Sequence, residues 1–199
     1  DPRVKVLRLI RNFGSNAAIV AGLSYARGDC TVMITADLQD PPELIGDMIA
    51  RWKEGTKVVL AARADRHDPF LSRMTGDAFN WLFKRLVFQN FPPRGFDFWL
   101  ADQEVVRALV KAAGTNAYVM GLLLWLGYPS VTLTYVREDR PFGKSQWTLG
   151  KKIKYFLDAF VGFSYLPLRL ASVTGIALAI LGFLYAAFVL IAKIVAGFP

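Results

Sequence analysis

Cysteine, histidine and late acidic residues are scarce in this chain. Among 199 residues there is one cysteine and one histidine. A lone Cys30 closes no internal bridge, so a disulfide scaffold is excluded and a reducing compartment fits. Cys30 reads as a small core residue, and His67, in a charged stretch, as solvated. None of the 16 acidic residues lies beyond Asp158, and none of the 23 residues from Leu170 to Ala192 is charged. No internal repeat or low-complexity stretch occurs. A single long apolar run excludes a polytopic transporter. Hydrophobic residues at 54% and a mean hydropathy of +0.32 exclude intrinsic disorder.

Basic residues are plentiful: 24 against 16 acidic, a net charge of +8. Arg137, Arg140, Lys144, Lys151, Lys152 and Lys154 cluster against only Glu138 and Asp139, shortly before the apolar run. That position favours membrane lipid or a lipid phosphate over nucleic acid as the partner. The chain starts at Asp1-Pro2 with no signal-peptide pattern and stops at Pro199, and it reads as a piece of a longer polypeptide.

Up to about residue 136, short apolar runs alternate with helical patterns, the signature of an α/β domain with a mostly parallel sheet. Strands are expected at Val4–Ile10, Thr31–Ala36, Lys57–Ala62, Phe96–Leu100 and Val131–Val136. Helices are expected at Asn16–Ala26, from Asp40 to about Trp52, and at Ser72–Phe88, Gln103–Ala113 and Ala117–Leu126. Asp40 reads as an N-cap, with Pro41 and Pro42 in the first turn and Glu43 completing a capping box. Asp102 reads as the cap of the helix after it.

Trp147–Val161 carries Leu149, Ile153, Phe156, Leu157, Phe160 and Val161 at helical spacing, with lysines on other faces. This pattern suits an amphipathic helix at a membrane interface. At 1.5 Å per residue the 23 uncharged residues reach about 35 Å, enough for a hydrocarbon layer of roughly 30 Å. Arg169 and Lys193 bracket the span, and the preceding basic cluster puts the α/β domain on the cytoplasmic side. Trp147 and the aromatics from Tyr155 to Tyr165 read as an interfacial belt. The expected organisation is therefore a partial catalytic domain over 1–146, an interface helix over 147–164 and a transmembrane region over 165–199.

Ligands of open α/β sheets bind at the carboxyl ends of strands. Asp37 and Gln39 follow the second expected strand and, in extended chain, would point the same way; two such oxygens suit a hard divalent cation, which in turn binds a diphosphate. Arg63, with Arg66 and Arg73 beyond it, is placed either to hold a phosphate or to lie in a solvated loop. Arg137, Arg140, Lys144 and Ser145 surround Gly143 after the last strand, where arginine grips phosphate with two parallel bonds.

These residues carry a resemblance. Ala36-Asp-Leu-Gln-Asp-Pro-Pro-Glu-Leu-Ile45 resembles the nucleotide-sugar and metal segment of family 2 glycosyltransferases, more narrowly of the polyprenyl-phosphate glycosyltransferases (the bactoprenol glucosyltransferase and dolichol-phosphate mannose synthase group). Supporting stretches are Arg11-Asn-Phe-Gly14, Ala21-Gly22, Gly28-Asp29, Gly95-Phe-Asp-Phe98, Trp125-Leu-Gly-Tyr128, Arg140-Pro-Phe-Gly-Lys-Ser145 and Phe163-Ser-Tyr-Leu-Pro-Leu-Arg169. The resemblance implies a GT-A fold (Rossmann-like) and an inverting transfer of a sugar from a UDP- or GDP-sugar to a polyprenyl phosphate, assisted by Mg2+ or Mn2+. It implies metal positions at Asp37 and Gln39, phosphate-binding positions at Arg63, Arg73, Arg140, Lys144 and Ser145, and at Asp97 an acid near the nucleophile, either as base or as the group that orients an arginine. Thr35 stands where the family often has another Asp, and Trp99 where it often has Arg. The resemblance further implies a bacterial inner membrane location, a homo-oligomer, a first nucleotide-binding strand before Asp1 and a partner membrane helix after Pro199.

Two other readings compete. A processive polysaccharide synthase would carry Gln-x-x-Arg-Trp, but Met48 stands where Gln should precede Arg51-Trp52. A non-catalytic membrane-bound scaffold that binds lipid phosphate is permitted by Thr35 and Trp99, and opposed by Asp37, Gln39, Arg140 and Lys144 together.

Overall fold

The computed structural model describes residues 1–64, 84–85, 92, 95–114, 117–136, 150, 157–158 and 160–197. They divide into two compact units, Asp1–Phe163 and Ser164–Pro199.

The first unit is built on a four-stranded sheet of β1 (Cys30–Met33), β2 (Val58–Arg63), β3 (Phe96–Asp102) and β4 (Ser130–Tyr135), in the order β1-β3-β2-β4. β2 pairs parallel with β4, while β3 runs antiparallel to both β1 and β2. The sheet is thus mixed: β1, β2 and β4 point one way, and β3 is inserted between two of them in reverse. Its helices are α1 (Ser15–Tyr25), α2 (Leu44–Lys53), α3 (Gln103–Ala112) and α4 (Val119–Trp125).

Period-2 alternation sorts the strand side chains onto two faces. Val58 and Leu60 of β2 join Trp99, Ala101 and residues of α1, α3 and α4 in one core cluster. Val59 and Ala61 join Phe98, Leu100, Tyr135 and Met48 of α2 in the other. Leu60, Trp99, Phe98 and Met48 are fully buried; cutting such a residue to Ala costs about 2–5 kcal/mol. α3 opens as the sequence suggests: the Asp102 side chain accepts from the Glu104 amide at 2.9 Å. Gly121 of α4 lets two rings close over the helix, for a Cβ there would meet Tyr118 Cδ1 at 2.6 Å and Phe163 Cε2 at 2.8 Å. Tyr118 and Phe163 pack edge to face, with centroids 6.2 Å apart.

Several expectations are corrected. Val4–Ile10 forms no strand: it pairs with no described neighbour, and Val4, Val6 and Ile10 are exposed. Alternation alone does not make a strand where no ladder partner takes the backbone groups. Thr31–Ala36 is a strand only to Met33, because the chain turns over the next residues. The helix expected from Asp40 starts at Leu44 with Glu43 as its cap residue, and no side chain caps it. Cys30 is half-buried at the start of β1. Most of Ser72–Phe88 and Trp147–Val161 lies outside the described residues, as does His67.

The second unit is a helix, α5 (Leu166–Ala196), of 31 residues with Pro167 in its first turn and Gly197, at φ 61°, ending it in the left-handed conformation. Proline fits where the first N–H groups have no intrahelical acceptor, and glycine fits where φ is positive. Thr174 and Ser172 return their hydroxyls to the Leu170 and Leu168 carbonyls at 2.8 and 2.9 Å. This leaves few bare polar groups on a helix long and apolar enough to cross a membrane, with a mean hydropathy of 2.5.

Candidate functional site

Because β3 is reversed, its first residues lie at the same end of the sheet as the last residues of β1, β2 and β4. That end gathers the polar side chains. Ala61 pairs with Phe98 and Ala62 with Phe96, so Asp97 is the extra residue of a β-bulge. A bulge re-aims side chains and breaks the alternation. Its effect is visible in the packing: Phe96 falls in the cluster of Trp99 and Ala101, although two-residue spacing from Phe98 would put it in the other.

Asp97, so aimed, forms an ion pair and hydrogen bond with Nη2 of Arg63, the last residue of β2. The Arg63 side chain is 16% exposed and that of Asp97 41%. A guanidinium this deeply held is costly to bury without an anionic partner close by, and Asp97 supplies one.

Arg63 faces Tyr135 in register across the parallel β2–β4 ladder. The Tyr135 hydroxyl donates to Asp40 Oδ1 at 2.5 Å. Burial first, then the hydrogen bond and charge of Asp40, push the phenol well above its ordinary range, with the Arg63 guanidinium pulling the other way. The phenol therefore stays protonated and remains a donor. Its ring is braced edge to face by Phe98, centroids 6.1 Å apart.

Asp40 is 3% exposed. A carboxyl group so placed costs several kcal/mol unless donors meet it, which explains why it does not cap α2: two hydroxyls reach it in the interior. The second is Thr35, whose Oγ1 lies within hydrogen-bonding reach of Asp40 Oδ2 and, at 2.7 Å, of Asp37 Oδ1. One hydroxyl proton thus faces two carboxyl groups. Leu38, with φ 57°, turns the chain between Asp37 and Gln39, so the extended geometry expected of that pair is replaced by a tight bend. Non-glycine residues adopt this conformation at a cost of about 1–2 kcal/mol, and such strain clusters at functional sites.

Asp37, Arg63 and Asp97 are therefore joined, through Thr35, Asp40 and Tyr135, in one hydrogen-bonded array at the carboxyl end of the sheet. Gln39, half-buried, follows Asp37 in the same turn. Arg73, Arg140, Lys144 and Ser145 lie outside the described residues. Trp99 sits wholly inside the core on the face away from Arg63.

Sequence reasoning gave no site role to Asp40, Tyr135 or the hydroxyl of Thr35. For Tyr135 a signal existed: Val131, Leu133 and Tyr135 alternate onto one buried face, and a buried phenol needs a partner.

Among the described residues no group of three or more His, Cys, Asp or Glu stands ready to hold a metal. Mg2+ does not require one, since it keeps waters and binds through one or two carboxylates plus substrate phosphates. Asp37 and Gln39 supply hard oxygen donors of that kind, so the residues present fit such a cation.

Asp102, at the opposite end of β3, serves the fold. The Trp52 indole donates to it at 2.9 Å, and Lys57 Nζ lies 3.3 Å from it and 3.3 Å from Glu104.

A family model described as Glycosyl transferase family 2 matches residues 1–110. The uncharacterized glycosyltransferase YkcC of Bacillus subtilis (strain 168) is 41% identical over 195 residues, 98% of this chain and 60% of its own length. The bactoprenol glucosyl transferase of Shigella phage SfV is 36% identical over 200 residues, 100% of this chain and 65% of its own. Glucosyl-3-phosphoglycerate synthase from Mycobacterium tuberculosis, solved with Mn2+, uridine-diphosphate-glucose and glycerol 3-phosphate, aligns with a TM-score of 0.43 at 21% identity, covering 78% of this chain and 54% of that one. The chain spans about two thirds or less of the curated relatives it matches (60% and 65% of these two). With the family model covering residues 1–110, more than half of 199, the chain belongs to the family 2 glycosyl transferases.

Proposed function

We propose that this chain is the greater part of a membrane-anchored, inverting glycosyltransferase that moves a sugar from a nucleotide-diphosphate sugar to a polyprenyl phosphate on the cytoplasmic face of a bacterial membrane. The observation that carries the reading is the Arg63–Asp97 pair, bound into one polar array with Asp37 at the carboxyl end of the sheet. It is supported by 36% identity over the whole chain to a relative named for glucosyl transfer to bactoprenol. In this reading residues 1–146 are catalytic, 147–164 lie at the interface and 165–199 anchor the protein.

The chemistry suits such a site. A phosphate monoester has its second pKa near 6 and is largely ionised at neutral pH, so it needs little help to become a nucleophile. Positioning and charge neutralisation then govern the rate. Arg63 receives the acceptor phosphate, joined by Arg73, Arg140, Lys144 and Ser145. Asp97 holds the guanidinium in its plane and, beside the incoming phosphate, takes up any remaining proton. Asp37 and Gln39 hold Mg2+ or Mn2+, which when bound neutralises charge on the departing nucleoside diphosphate.

The test is transfer of radiolabelled sugar into the lipid phase by the full-length protein in membranes, across common UDP- and GDP-sugars, with and without EDTA. Label should enter the lipid fraction with one donor and be lost on chelation. No transfer with any donor would overturn the reading.

A further inference from the structure

We infer that Thr35, Asp40 and Tyr135 are positioning residues that bind the diphosphate end of the site to its acceptor-phosphate end, so that occupancy of one end sets the affinity of the other. The inference rests on the function proposed above and assigns roles to residues that this function does not itself use.

Four observations carry it. Asp40 is the buried acid among the described residues, at 3% exposure, and so acts by holding neighbours rather than by meeting a ligand. It takes hydroxyls from opposite sides, Thr35 from the loop after β1 and Tyr135 from the end of β4. Thr35 also lies within hydrogen-bonding reach of Asp37, in the proposed diphosphate end, at 2.7 Å. Tyr135 stands in register with Arg63, which grips Asp97 in the acceptor end.

The links are competitive, which makes them transmit. The single Thr35 proton serves Asp37 or Asp40 at a given moment. A donor that engages Asp37 competes for that proton and leaves it to Asp40. Asp40, better satisfied, then holds the Tyr135 hydroxyl less tightly, and the phenol is freer to adjust beside Arg63. A phosphate on Arg63 sends the same change the other way. Hydrogen bonds in a buried chain polarise one another, and the coupling between two sites is reciprocal.

The experiment uses the full-length protein in detergent with two variants that keep shape and remove one hydroxyl each, Tyr135→Phe and Thr35→Val, and with Thr35→Ser, which restores a hydroxyl. Calorimetry measures binding of UDP and of GDP, each with Mg2+, in the presence and absence of farnesyl phosphate; steady-state transfer gives kcat and both KM values. In the wild type each ligand should tighten the other by about 5- to 150-fold. Tyr135→Phe should abolish that mutual tightening and raise the KM for the prenyl phosphate about tenfold or more, leaving nucleotide affinity without acceptor near wild type. Thr35→Val should abolish the tightening as well, and Thr35→Ser should restore it.

A purely structural role would instead lower the melting temperature and the active fraction with both KM values unchanged, and would overturn the inference. So would ligands that bind the wild type independently. Coupled binding without sugar transfer would sink the proposed function and leave the inference standing. Transfer with an unaltered KM pattern in both variants would sink the inference alone. A wild type that binds neither ligand would sink both.

Discussion

Arg63 and Asp97 meet because β3 carries one residue too many: Asp97 has no register partner in the β2–β3 ladder, and its side chain takes the guanidinium that ends β2. The pair is held by backbone geometry and not by chance contact of long side chains. Its strength is moderated by the exposure of Asp97, at 41%. Asp97→Asn should therefore lower stability only modestly, by about 1 kcal/mol, while sugar transfer falls at least a hundredfold. Circular dichroism melting and the lipid-phase assay together check the separation of the two effects.

Asp37→Ala should abolish transfer, and Gln39→Ala should raise the Mg2+ concentration giving half-maximal transfer about tenfold, since each oxygen donor removed weakens a site that holds few. A magnesium titration of both variants measures it; equal magnesium dependence of wild type and Gln39→Ala counts against the assignment.

Acid should loosen the far end of the sheet. Burial presses the Asp102 carboxyl upward, but the Trp52 indole, the Glu104 amide and Lys57 outweigh it and hold its pKa below the usual carboxylate range. The folded value is thus the lower one, and the stability it supplies is complete above the ordinary carboxylate pKa and lost as pH falls through the depressed value. Urea midpoints of the full chain in detergent, read by tryptophan fluorescence, should fall as the pH drops below the ordinary carboxylate value of about 4. Asp102→Asn should flatten that limb.

The thiol of Cys30 should be sluggish. Burial, then the negative charges of Asp29 and Asp102, raises its pKa above the ordinary thiol value, and Asp102 is its register partner across β3. Alkylation by iodoacetamide at pH 7.5 should run several-fold slower than for a free cysteine peptide, because the thiolate is the reactive form. Asp102→Asn should speed it.

Gly121→Ala should destabilise the first unit by about 1–3 kcal/mol, because the added Cβ collides with the Tyr118 and Phe163 rings. Loss of the Phe163 contact, seen as faster proteolysis near residue 163, checks the cause.

Much of this organisation is legible in the sequence. The spacing of Val105, Val106 and Leu109 marks α3, Asp102 announces its cap, and the unbroken apolar run marks α5. Asp40 is misread because Asp-Pro-Pro-Glu suits a helix start equally well, and only the fold shows two buried hydroxyls claiming the carboxyl group. The Arg63–Asp97 pair, 34 residues apart, depends on a bulge that no local pattern announces. Val4–Ile10 alternates like a strand, but a ladder is a property of two segments. Thr35 reads as the loss of an acid, whereas in space its hydroxyl links the two acids that remain.

The surplus residue in β3 also has a bearing on how this strand tolerates change. On both sides of position 97 the strand keeps step with β2, because the surplus residue absorbs the half cycle between Phe98 and Phe96. Removing Asp97 would leave Phe98 opposite Ala61 and Phe96 opposite Ala62 in an unbroken ladder, with Phe96 still in the layer of Trp99 and Ala101 that it already fills. Position 97 can therefore lose its charge, or be removed altogether, with both hydrophobic layers in place, and the loss would fall on Arg63, deprived of the acid that the surplus residue brings to it.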